Sequence, residues 1–353
     1  MSAYNSVLSA CPNVQNDLNQ SFDKFSATLE PLKFQEAIQS PENTSNITQQ
    51  ISRDNGKTVD VEVRYFQPFP EAGVLENQPN PVCAGGATDP DTIATYTIDT
   101  SENVQEIRSF NNKDLERYCK DNPSYVADLI MRIVDAAERK NATKTATQAA
   151  ALIGKFATGV VVDGNDNLVV STLQPGGLLV NPNYIGDINL ALVKTNYVGA
   201  AMIFADSLLY RGYMNALVGC CTDSGFDLAA AFQAYGVATM WDYRIETAMA
   251  AAQTANTSLV MQPGSLALLH YTAGNWSAGM PSEFKIGSNY ASIVVIGRTG
   301  TPVDINITDN CGTVTIAATI TTKLVGLPSD MYDATSRFAG VTGVNSIKVT
   351  NPA

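Results

Sequence analysis

Asn55-Gly56-Lys57-Thr58-Val59-Asp60-Val61-Glu62-Val63-Arg64-Tyr65-Phe66 is the stretch on which the fold turns. Asn-Gly is a turn dipeptide, and from Thr58 onward apolar and polar residues alternate without a break. Val59, Val61, Val63 and Tyr65 point to one face, Asp60, Glu62 and Arg64 to the other. That is the pattern of a strand with one wet face. A second extended stretch over 92–110 carries Ile93, Tyr96, Ile98, Val104 and Ile107. Between the two, residues 67–91 are crowded with turn formers, among them Pro68, Pro70, Pro79, Gly85 and Gly86. The pair predicts a long β-hairpin with a broad, irregular tip.

Nine strand residues reach about 30 Å, whereas a compact globule of this length has a radius of gyration of roughly 20 Å. Two strands alone are marginal in water. The ribbon therefore needs a surface to lie on, either a neighbouring subunit or the chain's own body. The neighbour is the expectation, with Val59, Val61, Val63, Tyr65, Phe66, Ile93, Tyr96 and Ile98 as the contact residues.

Upstream, residues 1–54 are polar and weakly periodic, with scattered Phe22, Phe25, Leu29, Leu32 and Phe34. They read either as a frayed terminus or as an arm that anchors on neighbours. Downstream, Asn122-Pro123 opens the clearest helix, in which Tyr125, Val126, Leu129, Ile130, Ile133, Val134 and Ala137 recur at helical spacing. A further Ala/Thr-rich helix is expected over 143–156. Helices are also expected over 198–217, 226–235 and 245–253, and strands over 237–241, 259–261 and 266–271. From residue 292 onward the chain turns β-rich. The class is α+β, with helices in the middle and strands at both ends.

The 353 residues are 45% hydrophobic and only 16% charged. Ordinary soluble domains are nearer a quarter charged, so much of this surface is either uncharged polar or covered by other chains. Thirty-four acidic against 22 basic residues give a net charge of −12. Phosphate-backbone binding needs clustered Lys and Arg, and only Arg139-Lys140 with Lys144 comes near. Direct nucleic-acid binding is not expected on that ground, while an acidic wall facing packaged DNA is allowed. Leu8-Ser9-Ala10-Cys11 resembles a lipoprotein cleavage box but has no basic leader before it. No stretch reaches the 18 apolar residues of a membrane span. Cys11, Cys83, Cys119, Cys220, Cys221 and Cys311 are unevenly spaced and do not form a disulfide framework. A reducing bacterial cytoplasm is the expected setting.

Catalytic chemistry has little to stand on. The one histidine, His270, sits inside the apolar run Leu268-Leu269-His270-Tyr271 and reads as a packed strand residue. With a single histidine and no Cys-x-x-Cys spacing, no zinc site is expected. Neither phosphate-cradling glycine motif occurs. Asp163-Gly164-Asn165-Asp166-Asn167 hints at a calcium loop but lacks the EF-hand glycine and has Gln174 in place of the closing glutamate, so a hairpin turn between 160–162 and 168–170 is expected. The expectation is no enzyme, no cofactor and no metal.

The order of parts resembles the Hong Kong 97-type shell fold of tailed-phage major capsid proteins and encapsulins. Two local stretches carry the likeness further. Ser258-Leu259-Val260-Met261-Gln262-Pro263-Gly264-Ser265-Leu266-Ala267-Leu268-Leu269 resembles the strand–Pro-Gly–strand passage of phage capsid subunits. Pro302-Val303-Asp304-Ile305, Asp309-Asn310-Cys311-Gly312 and Leu327-Pro328-Ser329-Asp330-Met331-Tyr332 resemble their closing β segment. The resemblance implies an N-terminal arm (1–54), an extended hairpin or E-loop (55–112), a spine-helix region of the P domain (113–156), a mainly A-domain body (157–290) and a β-rich return to the P domain (291–353). It implies an icosahedral head, built from hexamers and pentamers of the chain, that encloses double-stranded DNA in a virion. Portal and scaffold or decoration proteins would be partners, with no membrane. An encapsulin-like compartment and an exported glycan-binding protein are the alternatives.

Overall fold

The computed structural model describes residues 30–44, 47–65, 92–122, 124–173, 181, 183–195, 201–218, 238–272, 285–286, 290–310, 312–326 and 342–350. Residues 1–29, Phe66, the hairpin tip 67–91, the expected helix 226–235, Cys220-Cys221 and the 327–332 motif lie outside the described residues.

The described chain begins with two short helices, α1 (Lys33–Ile38) and α2 (Pro41–Thr44). They are no frayed terminus: Leu32, Phe34 and Ile38 are buried, and Phe34 meets Phe204 edge-on at 5.0 Å between ring centroids. Buried Asn43 is fully used, donating to Ile38 O (2.7 Å) and Leu266 O (2.8 Å) and accepting from Gly264 N (2.8 Å).

The ribbon has three strands, not two. β1 (Ile47–Asp54), β2 (Thr58–Tyr65) and β3 (Thr92–Asp99) form an antiparallel sheet in that order. A boundary at residue 54 therefore cuts through the ribbon's own edge hairpin. The expected strand over 92–110 is likewise two. At Asp99 the chain turns and β4 (Val104–Asn111) enters a different sheet. The Asp99 carboxylate accepts from Ser101 Oγ (2.6 Å) and Ser101 N (2.8 Å), which holds its pKa low. This Asx-type turn was written in the polar run 99–103, between two apolar stretches that made it look continuous.

Next come α3 (Asn112–Asp121) and the 27-residue α4 (Tyr125–Ala151), about 40 Å long. The two helices expected over 122–140 and 143–156 are one. Thr143, Thr145 and Thr147 do not break it, because each hydroxyl bonds the carbonyl four residues back.

The central body adds β5 (Leu168–Val170), α5 (Tyr184–Lys194), β6 (Met202–Ala205), α6 (Ser207–Val218), β7 (Ala238–Trp241), α7 (Tyr243–Ala252), β8 (Thr257–Met261) and β9 (Leu266–Tyr271). The closing segment adds β10 (Lys285–Ile286), β11 (Tyr290–Ile296), β12 (Pro302–Asn310), β13 (Thr313–Gly326) and β14 (Val344–Val349). The expected helix over 198–217 is a strand followed by a helix. Met202 and Phe204 face one core, Ile203 and Ala205 another, and a short run buried on both faces carries no periodicity to betray a strand. Asp206 caps α6 by accepting from Leu208 N (3.0 Å) and Leu209 N (3.2 Å), and it also takes Ser258 Oγ (2.8 Å). Asp206→Ala is expected to cost about 2 kcal/mol, read as a lowered denaturant midpoint.

Two sheets share the body. The five-stranded one runs β5-β14-β8-β6-β7, with α5 and α6 in its core on one face and α1, α7 and the end of α4 on the other. It takes β14 from the closing segment, and β5 pairs there in parallel rather than forming a hairpin with 160–162, which keep one bridge, Val162 to Leu168. The other runs β10-β11-β12-β13-β4 and packs one face on α3 and α4. β13 is the joint: it pairs β12 and β4 up to Ile320, then β9 from Thr321 to Gly326. β8 and β9 thus leave the Pro263-Gly264 turn, where Gly264 has φ +80°, into different sheets.

A polar ladder on α4 fastens these parts. Buried Glu138 accepts from Arg298 N (3.1 Å), Thr299 N (3.2 Å) and Thr299 Oγ1 (2.7 Å), gripping the β11–β12 turn. Asn141 accepts from Thr322 Oγ1 (2.6 Å) at the point where β13 changes partners. Lys144 donates to Thr322 O (2.9 Å) and to Glu102 O, and Gln148 accepts from Leu324 N (3.0 Å).

Candidate assembly surfaces

The inner face of the ribbon is already occupied. Val59, Val61, Val63, Tyr65 and Ile98 are 0–2% exposed and pack on Ala267, Leu269 and Val325 of β9 and β13. The expectation that these residues meet a neighbour is corrected: the chain's own body covers them. The alternating pattern demanded a partner surface, and β9 with the end of β13 supplies one that lies some 200 residues away in sequence. Burial pushes the Tyr65 phenol pKa well up. Tyr96, half-buried, donates its hydroxyl to Gly326 O at 3.0 Å. Lys323 Nζ donates to Thr97 O (2.8 Å), Tyr271 Oη to Asp54 Oδ2 (3.0 Å) and Gln49 Nε2 to Leu268 O (3.1 Å). Both edges of the ribbon are clasped to the body.

What remains open is the opposite face and the rims. Ile93 projects with Asp60, Glu62 and Arg64 and is 53% exposed. Ile51 on β1 is 50% exposed, and Thr48 to Asp54 are all exposed. On β4, an edge strand of the second sheet, Ile107 is 52% exposed. Beside it run uncharged pairs, Ser109 with Thr315 (3.0 Å) and Gln105 with Thr319 (3.3 Å). Edge strands of free-standing proteins are normally blunted by charge or proline. β1 (ITQQISRD) has neither in its first five residues. Of the expected contact residues, Ile93 alone is left prominent; Phe66 lies outside the described residues.

A second open group lies on α5, where Leu190 and Val193 are 53% and 64% exposed. Lys194 Nζ donates to Gly159 O (3.2 Å), which brings this end of the helix beside the segment carrying Val161. Sequence reading passed over these residues. The available signal was that Leu190 and Val193 fall outside the apolar stripe of Tyr184, Ile185, Ile188, Ala191 and Leu192 that the core buries.

The chemistry-bearing groups sit in structural roles. His270 is driven towards its neutral form by burial. Asp163 accepts from Asn165 N (2.9 Å) and Asn167 N (3.0 Å), as the turn reading requires. Burial pushes its pKa up, but the Asn167 and Asn165 hydrogen bonds and Lys348 outweigh that and hold it low. Among the described residues no group of three His, Cys, Asp or Glu side chains is placed to hold a metal, and no helix is long and apolar enough to cross a membrane. Cys119, buried on α3, is disulfide-bonded. Its partner lies outside the described residues. Spacing along the chain does not reveal which thiols a fold brings together.

No protein-family model matches the sequence, and no curated protein does. Among solved structures the chain is similar to the virus-like particle from Pyrococcus furiosus, at 8% identity and a TM-score of 0.39, over 95% of this chain and 99% of that one. It is similar to the capsid of the cyanophage P-SCSP1u, at 10% identity and a TM-score of 0.40, over 86% of each chain. The capsid of Ralstonia phage GP4 gives 9% identity and a TM-score of 0.40, over 87% of each chain.

Proposed function

We propose that the chain is a shell subunit, the major capsid protein of a tailed bacteriophage, whose copies close an icosahedral head around double-stranded DNA. The observation that carries this reading is the set of three isoleucines, Ile51, Ile93 and Ile107, each half-exposed or more on strands of a ribbon and a sheet rim. Single exposed apolar residues are ordinary on a surface. Three on neighbouring extended elements, beside an edge strand whose first five residues carry neither charge nor proline and in a chain only 16% charged, fit a surface covered by sister molecules. Heterologous contacts of this kind, repeated until the surface closes, give hexamers and pentamers.

The acidic balance supports enclosing DNA without sequence-specific binding, since a wall at −12 does not adhere to its contents. Portal and scaffold or decoration proteins would be further partners, and assembly would take place in the host cytoplasm. In this reading α4 is the spine of the shell wall, the ribbon over 47–99 is the extended loop, and the five-stranded sheet with its helices is the body that meets its copies around the symmetry axes. The chain expressed alone or with its phage partners is expected to give hollow particles by negative-stain electron microscopy and a fast boundary in sedimentation. A protein that stays monomeric under every assembly condition ends the proposal.

A further inference from the structure

Thr299 and Thr301, on the turn between β11 and β12, join the middle of α4 to α1 through buried side chains. Glu138 Oε1 accepts from Thr299 Oγ1 at 2.7 Å, and Thr299 Oγ1 lies 2.9 Å from Thr301 Oγ1. Thr301 Oγ1 accepts in turn from Gln35 Nε2 in α1 (2.8 Å) and from Gln39 Nε2 at the end of that helix (2.9 Å). Glu138, Thr301 and Gln35 are 0% exposed.

A hydroxyl has one proton to donate. With Glu138 ionised, Thr299 gives its proton to the carboxylate, so the bond between the two threonines has to use the proton of Thr301. Thr301 Oγ1 is then an acceptor towards α1, and both glutamines turn an amide NH2 to it. The chain has one direction. Its consequence shows at the far end, where Gln35 Oε1 and Gln39 Oε1 are buried and have no donor.

A proton arriving at Glu138 from solvent reverses that direction. Oε2 meets a donor, Arg298 N at 3.1 Å, whereas Oε1 lies beside a hydroxyl oxygen that is able to accept. Once Oε1 donates to Thr299, Thr299 donates to Thr301, and Thr301 donates onward to α1. The two amide oxygens without donors stand at that end, and one glutamine has to turn over to present its oxygen. Each threonine keeps its own proton and only rotates.

We infer that this chain is a proton sensor built into the fold, in which the protonation state of Glu138 sets the orientation of a glutamine amide on α1. The inference does not rest on the shell reading. Other charged groups on the surrounding elements have partners of their own. Arg298 lies 3.1 Å from Asp135, which also takes Arg139 at 2.9 Å. Lys144, further along α4, donates to Thr322 O. On α1, Lys33 pairs with Glu36 at 3.3 Å. On α7, Arg244 pairs with Glu30 and lies near Asp242, while Glu246 holds Ser207 and Trp241. Burial raises the Glu138 pKa above 4.5, which sets its titration apart from that of exposed carboxylates.

The test is a pH titration of the full-length chain by two-dimensional NMR, following the Arg298 backbone amide and the side-chain amides of Gln35 and Gln39. The Arg298 amide reports on Glu138 directly, and at least one glutamine NH2 pair is expected to shift with the same midpoint. Glu138→Gln is expected to remove all of these responses. Thr301→Val cuts the chain and is expected to silence the glutamines while Arg298 still titrates. Glutamine signals that stay still in the wild type while Arg298 titrates overturn the inference. So do an Arg298 amide that does not titrate and glutamine responses that survive Thr301→Val. The wild-type titration decides by itself, whether or not the valine variant folds.

Discussion

Lysine at both Ile93 and Ile107 is expected to abolish particle formation while leaving the monomer folded. Each side chain is about half-exposed in the single chain, so the substitutions should move its stability by no more than about 0.5 kcal/mol. In a shell the same positions are covered. Full burial of one isoleucine is worth about 1.5–3 kcal/mol, and an ammonium buried there without a partner adds a penalty of its own. Every subunit carries both changes, so each contact in the lattice is weakened together. Sedimentation velocity should find only slow species, with an unchanged circular dichroism melt. Particles of normal yield would remove these two strands from the assembly surface.

Glu138→Ala should produce the largest loss of fold stability, about 3–5 kcal/mol. The change leaves Arg298 N and Thr299 N without acceptors in a buried site, leaves the Thr299 hydroxyl only Thr301 Oγ1, and opens a cavity against the β11–β12 turn. Room there is tight: a Cβ at Gly297 would fall 2.2 Å from Glu138 Oε1. The same carboxylate gives a pH signature. Burial raises its pKa above the ordinary 4.5, outweighing the Thr299 and Arg298 hydrogen bonds and the Arg298 charge. A raised carboxylate pKa means that the folded state holds this proton more tightly than the unfolded state does. The contribution of Glu138 to stability therefore falls as pH rises from 4.5 through the folded value. Glu138→Gln cannot titrate, so the stability gap between it and wild type should narrow over that window in denaturant titrations. A gap that widens with pH would reverse the sign of the assignment.

The legible parts of the sequence were those where one element's own pattern sufficed. Strict alternation in 58–65 placed β2 and divided its faces correctly, and the helical spacing from Tyr125 to Ala137 found α4. Asp163 was readable as a turn because a short carboxylate followed by Asn and Gly satisfies its own backbone. Errors arose where two signals overlapped. The turn at Asp99 was hidden between apolar stretches, and β6 was absorbed into the helix behind it because Asp206, its cap, was passed over.

The sequence by itself determined the α+β class, the ribbon with a wet and a dry face, the first half of the long helix α4 and the low charge of the chain. Each follows from local period or composition, which a chain carries before it folds. Only the tertiary structure decided what the dry face lies on. A strand's pattern states that its apolar side must be buried, but not against which of the distant apolar surfaces. Here β9 and β13 took that face, and Ile51, Ile93 and Ile107 were left exposed.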